Sequence, residues 1–204
     1  DAGVVGAQDD KVSAFKPGGV DYEKQAAAYA TARALSGRAF DVWRDLVLRR
    51  LAPRKPGVVL DLGSGTGRFS PLLAEWLGCQ VIGVEPSNGM RTSALRESAH
   101  ERVEYRAGDA QAIPLDDDSC DAAWLGYMVH HVPDRTACAR ELVRVLRTGS
   151  PVVVIGAYTE RRREMPLFRY FPAALRIVDA FPLAEQITRE FEEGGLEQVD
   201  AEVV

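Results

Sequence analysis

Apolar and polar positions change rhythm several times along this chain. Residues 1–19 are small, polar and glycine-containing, and read as a loose tail. Tyr22 to Leu35 is alanine-rich and favours helix. Trp43, Leu46, Val47 and Leu51 then recur at helical spacing, predicting an amphipathic helix that the segment Pro53 to Gly57 breaks. From Val58 onward, short apolar runs alternate with amphipathic stretches. Val58 to Leu60, Gln80 to Val84, Val103 to Arg106, Asp121 to Leu125 and Val152 to Ile155 read as strands. Arg68 to Leu77, Asn88 to Ser98 and Arg135 to Leu146 read as the helices between them. Strands alternating with helices predict an α/β fold, with a parallel sheet covered on both faces.

Beyond the fifth strand the rhythm breaks. Thr159 to Pro182 mixes arginines, aromatics and three prolines, and reads as a cap inserted over the open end of the sheet. Leu183 to Glu193 resumes a helix, Gly194-Gly195 stops it, and Glu197 to Val204 predicts a sixth strand. The whole is expected to be one domain over 1–204: tail 1–19, helices 20–51, core 57–157, cap 158–182, and a last helix with a partial sheet edge over 183–204. The chain starts at Asp1 and stops in the apolar pair Val203-Val204, so it reads as a fragment or the ordered part of something longer.

Bulk properties narrow the function. A length of 204 residues suits one domain with a full core. A formal charge of -5 argues against affinity built on neutralising phosphates, and hence against a nucleic-acid partner. No apolar run approaches the roughly 20 residues that span a bilayer, and the polar N-terminus lacks signal-peptide layout. Cys79, Cys120 and Cys138 are odd in number and lack CxxC spacing, so neither a disulfide framework nor a metal site is expected. A reducing cytoplasm fits that usage.

The strongest chemical signal is Leu60-Asp61-Leu62-Gly63-Ser64-Gly65-Thr66-Gly67-Arg68. It leaves a strand and enters a helix, the context in which a glycine loop lets backbone approach a ligand. A dinucleotide fingerprint needs glycine at the first, third and sixth places, but Arg68 holds the sixth. No Gly-Lys-Ser/Thr follows, so the loop is not a P-loop either. One strand later Glu85 is placed to accept hydrogen bonds from two ribose hydroxyls, and after the third strand Asp109 to accept one from an adenine amino group.

With these residues the chain resembles the class I S-adenosylmethionine-dependent methyltransferases, the broad small-molecule group whose loop reads Leu-Asp-Leu-Gly-x-Gly-x-Gly. The likeness runs from about Trp43 to Ile155, and more weakly to Val204. It implies a Rossmann-like, doubly wound, mostly parallel sheet with an N-terminal helical lid, and S-adenosylmethionine as cofactor. Gly63, Ser64, Gly65, Thr66 and Gly67 would hold its methionine part, with Asp61 beneath. Glu85 would take the ribose, Pro86 and Met90 would flank the adenine, and Asp109 and Ala110 would bind its edge. Leu125 and Met128 would close the wall, while Tyr29 and Arg33 would cover the cofactor carboxylate. The family's sheet usually ends with a sixth and an antiparallel seventh strand, where this chain stops within its sixth. The turn Arg147-Thr148-Gly149-Ser150 replaces the commoner Pro-Gly-Gly.

Other features keep two readings each. His130 and His131 follow the fourth strand, where a histidine could deprotonate a nucleophile, or else shape the loop and cap the helix near Asp134. Arg161, Arg162, Arg163, Arg169 and Arg176, among Phe168, Tyr170 and Phe171, could bind an acidic or aromatic substrate or nucleic acid, or else form a solvated face, and Asp116 to Asp118 reads as a solvated turn. The leading function is methyl transfer to a small molecule. A methyltransferase for RNA or protein, and a cofactor-binding protein without methyl transfer, stand as alternatives; the oligomeric state is left open.

Overall fold

The computed structural model describes residues 37–156 and 181–199. Helix α1 (Gly37–Arg50) enters strand β1 (Val58–Leu62) through a short 3-10 turn at Ala52–Arg54. There follow α2 (Ser70–Leu77), β2 (Gln80–Glu85), α3 (Asn88–Glu97), β3 (Val103–Ala107), β4 (Ala122–Gly126), α4 (Arg135–Val145), β5 (Val152–Ile155) and α5 (Ala184–Glu193). The five strands form one parallel sheet in the order β3-β2-β1-β4-β5. Because all run the same way, every strand's carboxyl end lies along one edge. Strand order reverses between β1 and β4, which opens a crevice at that edge.

Local chemistry sets the elements. Pro71 at the start of α2 matches a first-turn position whose N–H has no helical partner, and Gly78 closes the helix at φ 66°, where a side chain would be strained. The Ser87 hydroxyl caps α3 by accepting from the Met90 N–H, and Asp134 caps α4 by accepting from the Ala137 N–H. Each such cap stabilises by about 1 kcal/mol.

Two apolar layers sandwich the sheet. One joins Leu60, Leu62, Val84, Leu125 and Leu142 to Ile187 and Phe191 of α5. The other joins Val59, Val81 and Trp124 to Leu46 and Val47 of α1 and Leu73 of α2. Neighbours along β1 therefore face opposite layers, and both are buried, as expected of a strand covered on two sides. Fully burying one such Leu or Val is worth about 1.5–3 kcal/mol. An ion pair between Arg135 and Glu190, both largely buried, clamps α4 to α5.

Strand β5 falls where the apolar run predicts. Strands β1 and β2 run further than predicted, through Leu62 and Glu85, because Asp61 and Glu85 are buried residues of the strands themselves. Helix α2 starts at Ser70 instead of Arg68, because Gly67 still holds the bend at φ 77°. Gly149 supplies φ 78° in the turn after α4, so this variant of the family turn keeps its glycine conformation. Residues 197–199 form no strand, and 200–204 lie outside the described residues, as do the expected tail, the expected helix over 22–35 and the expected cap up to residue 180. Among the described residues no helix is long and apolar enough to cross a membrane.

Candidate functional site

The bend after β1 is built from three glycines at positive φ: Gly63 at 71°, Gly65 at 58° and Gly67 at 77°. Their surroundings differ. A Cβ on Gly63 would lie 2.6 Å from Cβ of Met128, so this glycine lets the segment after β4 close against the bend. A Cβ on Gly67 would lie 2.2 Å from the Tyr105 hydroxyl. A Cβ on Gly65 would meet nothing within 4 Å, so that face of the loop is open. The loop is pinned to β2 by the Gly63 and Ser64 N–H groups, which donate to the Val84 carbonyl at 2.8 and 3.2 Å. The Ser64 hydroxyl is buried and has no hydrogen-bond partner among the described residues.

Two acids converge on this bend from neighbouring strands. Glu85 ends β2, and its Oε2 accepts from the Gly65 N–H at 3.0 Å while Oε1 accepts from the Ser87 N–H at 2.9 Å. Asp61 lies in β1, 2% exposed, and its Oδ2 accepts from the Ser70 hydroxyl at 2.6 Å. Burial pushes the Asp61 carboxyl up from 3.8 to about 7; the Ser70 hydrogen bond opposes this and the charge of Glu85 reinforces it. When Asp61 is ionised, the pair concentrates negative potential beside the bend.

Other predicted residues take mixed positions. Asp109 follows β3 along the same edge, half-buried, with Oδ1 accepting from the Gln111 N–H at 2.7 Å. Ala110 packs on the first apolar layer, Met90 is 3% exposed, and Pro86 is on the surface. Leu125 is wholly buried within that layer and Met128 lies against Gly63, so of the two Met128 is the one placed at the bend. Tyr29, Arg33 and the cap arginines lie outside the described residues.

His130 and His131 occupy a 3-10 turn, Val129–His131, just past β4. Their rings lie 3.9 Å apart, and His130 packs on Phe181 at 4.5 Å. Helix α4 is capped by Asp134 and not by a histidine, so the capping role falls to the aspartate. Asp117 accepts from Arg144, which also bonds the carbonyls of Ile113 and Leu115, making the acidic run a braced turn. Among the described residues no group of His, Cys, Asp or Glu could hold a metal, and all three cysteines are free and buried. Sequence reasoning missed Ser70, Ser98 and Tyr105. The usable signal was Gly83, a glycine inside an apolar strand that announces a close approach.

Comparison with known proteins agrees with this geometry. Residues 60–154 match the family described as methyltransferase domain. A demethylmenaquinone methyltransferase from Roseiflexus castenholzii is 30% identical over 186 residues, 79% of this chain and 77% of that protein. The chain spans only 47–58% of six further curated methyltransferases that it matches. Among solved structures, an Anabaena variabilis protein described as a methyltransferase of an antibiotic biosynthesis pathway superposes with a TM-score of 0.66. It is 28% identical, over 74% of this chain and 59% of that one. The cyclase SpnF superposes with a TM-score of 0.62 at 29% identity, over 82% of this chain and 62% of that one. With its glycine bend, its flanking acids and this extent of likeness, the chain belongs to the class I S-adenosylmethionine-dependent methyltransferases.

Proposed function

We propose that this chain transfers the methyl group of S-adenosylmethionine to a small-molecule acceptor at the crevice between β1 and β4. The observation that carries the reading is a glycine bend open at Gly65, whose N–H is held by Glu85, with the buried Asp61 near enough to feel the charge of Glu85. Two buried acids suit a ligand bearing a positive sulfonium and ammonium, and would repel a pyrophosphate. When bound, the cofactor supplies an electrophilic methyl on a cationic sulfur. Gly63 to Gly67 would hold its methionine part, with Asp61 beneath, and Glu85 would take the ribose hydroxyls. Asp109, Ala110, Pro86 and Met90 take the adenine, and Met128 walls the reacting side. Tyr29 and Arg33 are assigned to the cofactor carboxylate on sequence alone.

Alignment of two reactants can lower a barrier by about 7–11 kcal/mol, so the protein's main task is to orient and exclude water. Where the nucleophile starts protonated, a base adds about 10²- to 10⁴-fold, and His131 and His130 are the candidates. The curated relative points to a quinone-type acceptor, and the acidic balance speaks against nucleic acid. Three buried thiols suit a reducing cytoplasm. A second reading, cofactor binding without methyl transfer, is favoured by the likeness to SpnF, which is described as a [4+2]-cyclase.

Calorimetric titration with S-adenosylmethionine, its demethylated product and NAD tests the binding claim. The two adenosyl ligands are expected to bind, and Glu85→Ala to weaken both at least about tenfold. Binding of NAD alone would overturn the reading. Isotopic methyl incorporation into candidate quinols then separates methyl transfer from cofactor binding without it.

A further inference from the structure

Tyr105 sits in β3 directly opposite Gly83 of β2. A Cβ on Gly83 would lie 2.7 Å from Tyr105 Cδ1, and one on Gly67 would lie 2.2 Å from its hydroxyl oxygen. The ring therefore runs from β3 across β2 to the base of the glycine bend, through space that two glycines leave vacant. Its hydroxyl donates to the Ser98 carbonyl at 3.1 Å, and the Ser98 hydroxyl donates to the Thr66 carbonyl at 2.8 Å. Ser98 is also the residue that ends α3, its N–H bonded to the Ala94 carbonyl. Tyr105, Ser98 and Thr66 thus form a chain that ties one end of the bend to β3 and α3, while Glu85 ties its middle to β2.

We propose that Tyr105 is a positioning residue of the cofactor site, its ring and hydroxyl holding Thr66 and Gly67 in the backbone geometry that receives S-adenosylmethionine. This rests on the cofactor reading above. Glycines at positive φ gain nothing intrinsic from that conformation, so neighbours must select it. The ring blocks collapse of Gly67 toward the sheet, and the hydroxyl fixes the serine that holds Thr66. Burial pushes the phenol up to about 12, with Ser70 opposing, so it remains a neutral donor across the working pH range. A packing residue alone would need no hydroxyl at this depth, and phenylalanine would fill the same space.

Tyr105→Phe keeps the ring and removes one donor. Titration with S-adenosylhomocysteine, with circular dichroism establishing that the variant is folded at the assay temperature, reads the affinity of the native form alone. The dissociation constant is expected to rise about three- to tenfold. Ser98→Ala, which leaves the ring in place, is expected to weaken binding similarly, and the double variant by less than the product of the two. If Tyr105→Phe does not fold, Ser98→Ala decides by the same measure. A lower melting temperature with affinity unchanged within about twofold in both variants would make the chain of bonds purely structural and overturn the proposal. If the unaltered chain binds and Glu85→Ala abolishes binding while these variants do not, the cofactor reading stands and this inference falls. No binding by the unaltered chain overturns both.

Discussion

Asp61 offers the sharpest quantitative test, because its stability cost and its proposed use have opposite signs. In the unfolded chain this carboxyl titrates near 3.8; in the folded protein it titrates near 7, raised chiefly by burial. Between those values the native state holds a proton that the unfolded state has lost, so stability falls as pH rises and then levels off above 7. At about 1.4 kcal/mol per pH unit, the full interval costs about 4 kcal/mol. Asp61→Asn keeps an acceptor for the Ser70 hydroxyl and removes the titration. Its added amide donors shift stability by an amount independent of pH, so the diagnostic quantity is the slope and not the offset. Urea denaturation of both proteins at pH 5, 6, 7 and 8 is expected to show the asparagine variant gaining on the wild type by about 3 kcal/mol across that range. Titrations of groups not coupled to Asp61 cancel in the difference. A difference that stays flat within about 0.5 kcal/mol would mean that Asp61 is already ionised at pH 5, and the burial cost argued here would be refuted.

Two further outcomes follow from the same site. A cationic ligand favours ionised Asp61, so S-adenosylmethionine affinity is expected to rise by up to about tenfold from pH 6 to pH 8. The uncharged sulfur of S-adenosylhomocysteine should show a weaker trend, and the asparagine variant none; equal slopes for both ligands, measured calorimetrically, would contradict the assignment. Gly63→Ala is expected to lose about 1–3 kcal/mol of stability by clashing with Met128, whereas Gly65→Ala loses about 1 kcal/mol and at least tenfold in cofactor affinity. Chemical denaturation and titration of the pair would separate a packing glycine from one that faces the ligand.

Much of this was legible along the chain, for identifiable reasons. Strand β5 is a four-residue apolar run bounded by a proline and a glycine, and nothing competes with that pattern. The glycine bend was legible because three glycines at alternate positions between strand and helix have few other uses. The ends of β1 and β2 were not, because Asp61 and Glu85 look like loop residues in a hydropathy pattern yet lie inside the sheet. Polarity in a buried strand is invisible until its partner is known, and Ser70 is nine residues away with no motif to link them. The contact between Tyr105 and Gly67 is harder still, since it joins residues 38 positions apart through a hydroxyl and a missing side chain.

The buried acid also explains why sequence and electrostatics agree on the ligand. A chain selected for stability alone would not keep a carboxylate 2% exposed and 2.6 Å from a single hydroxyl, with a second acid adding to its charge. Such a group persists where something that binds there repays the cost, and a positive ligand offsets the mutual repulsion while leaving Asp61 ionised. Arg68 in place of the sixth-position glycine independently disfavours a pyrophosphate on the following helix. Two unrelated features, the loop's spacing and the charge beneath it, therefore both disfavour a pyrophosphate.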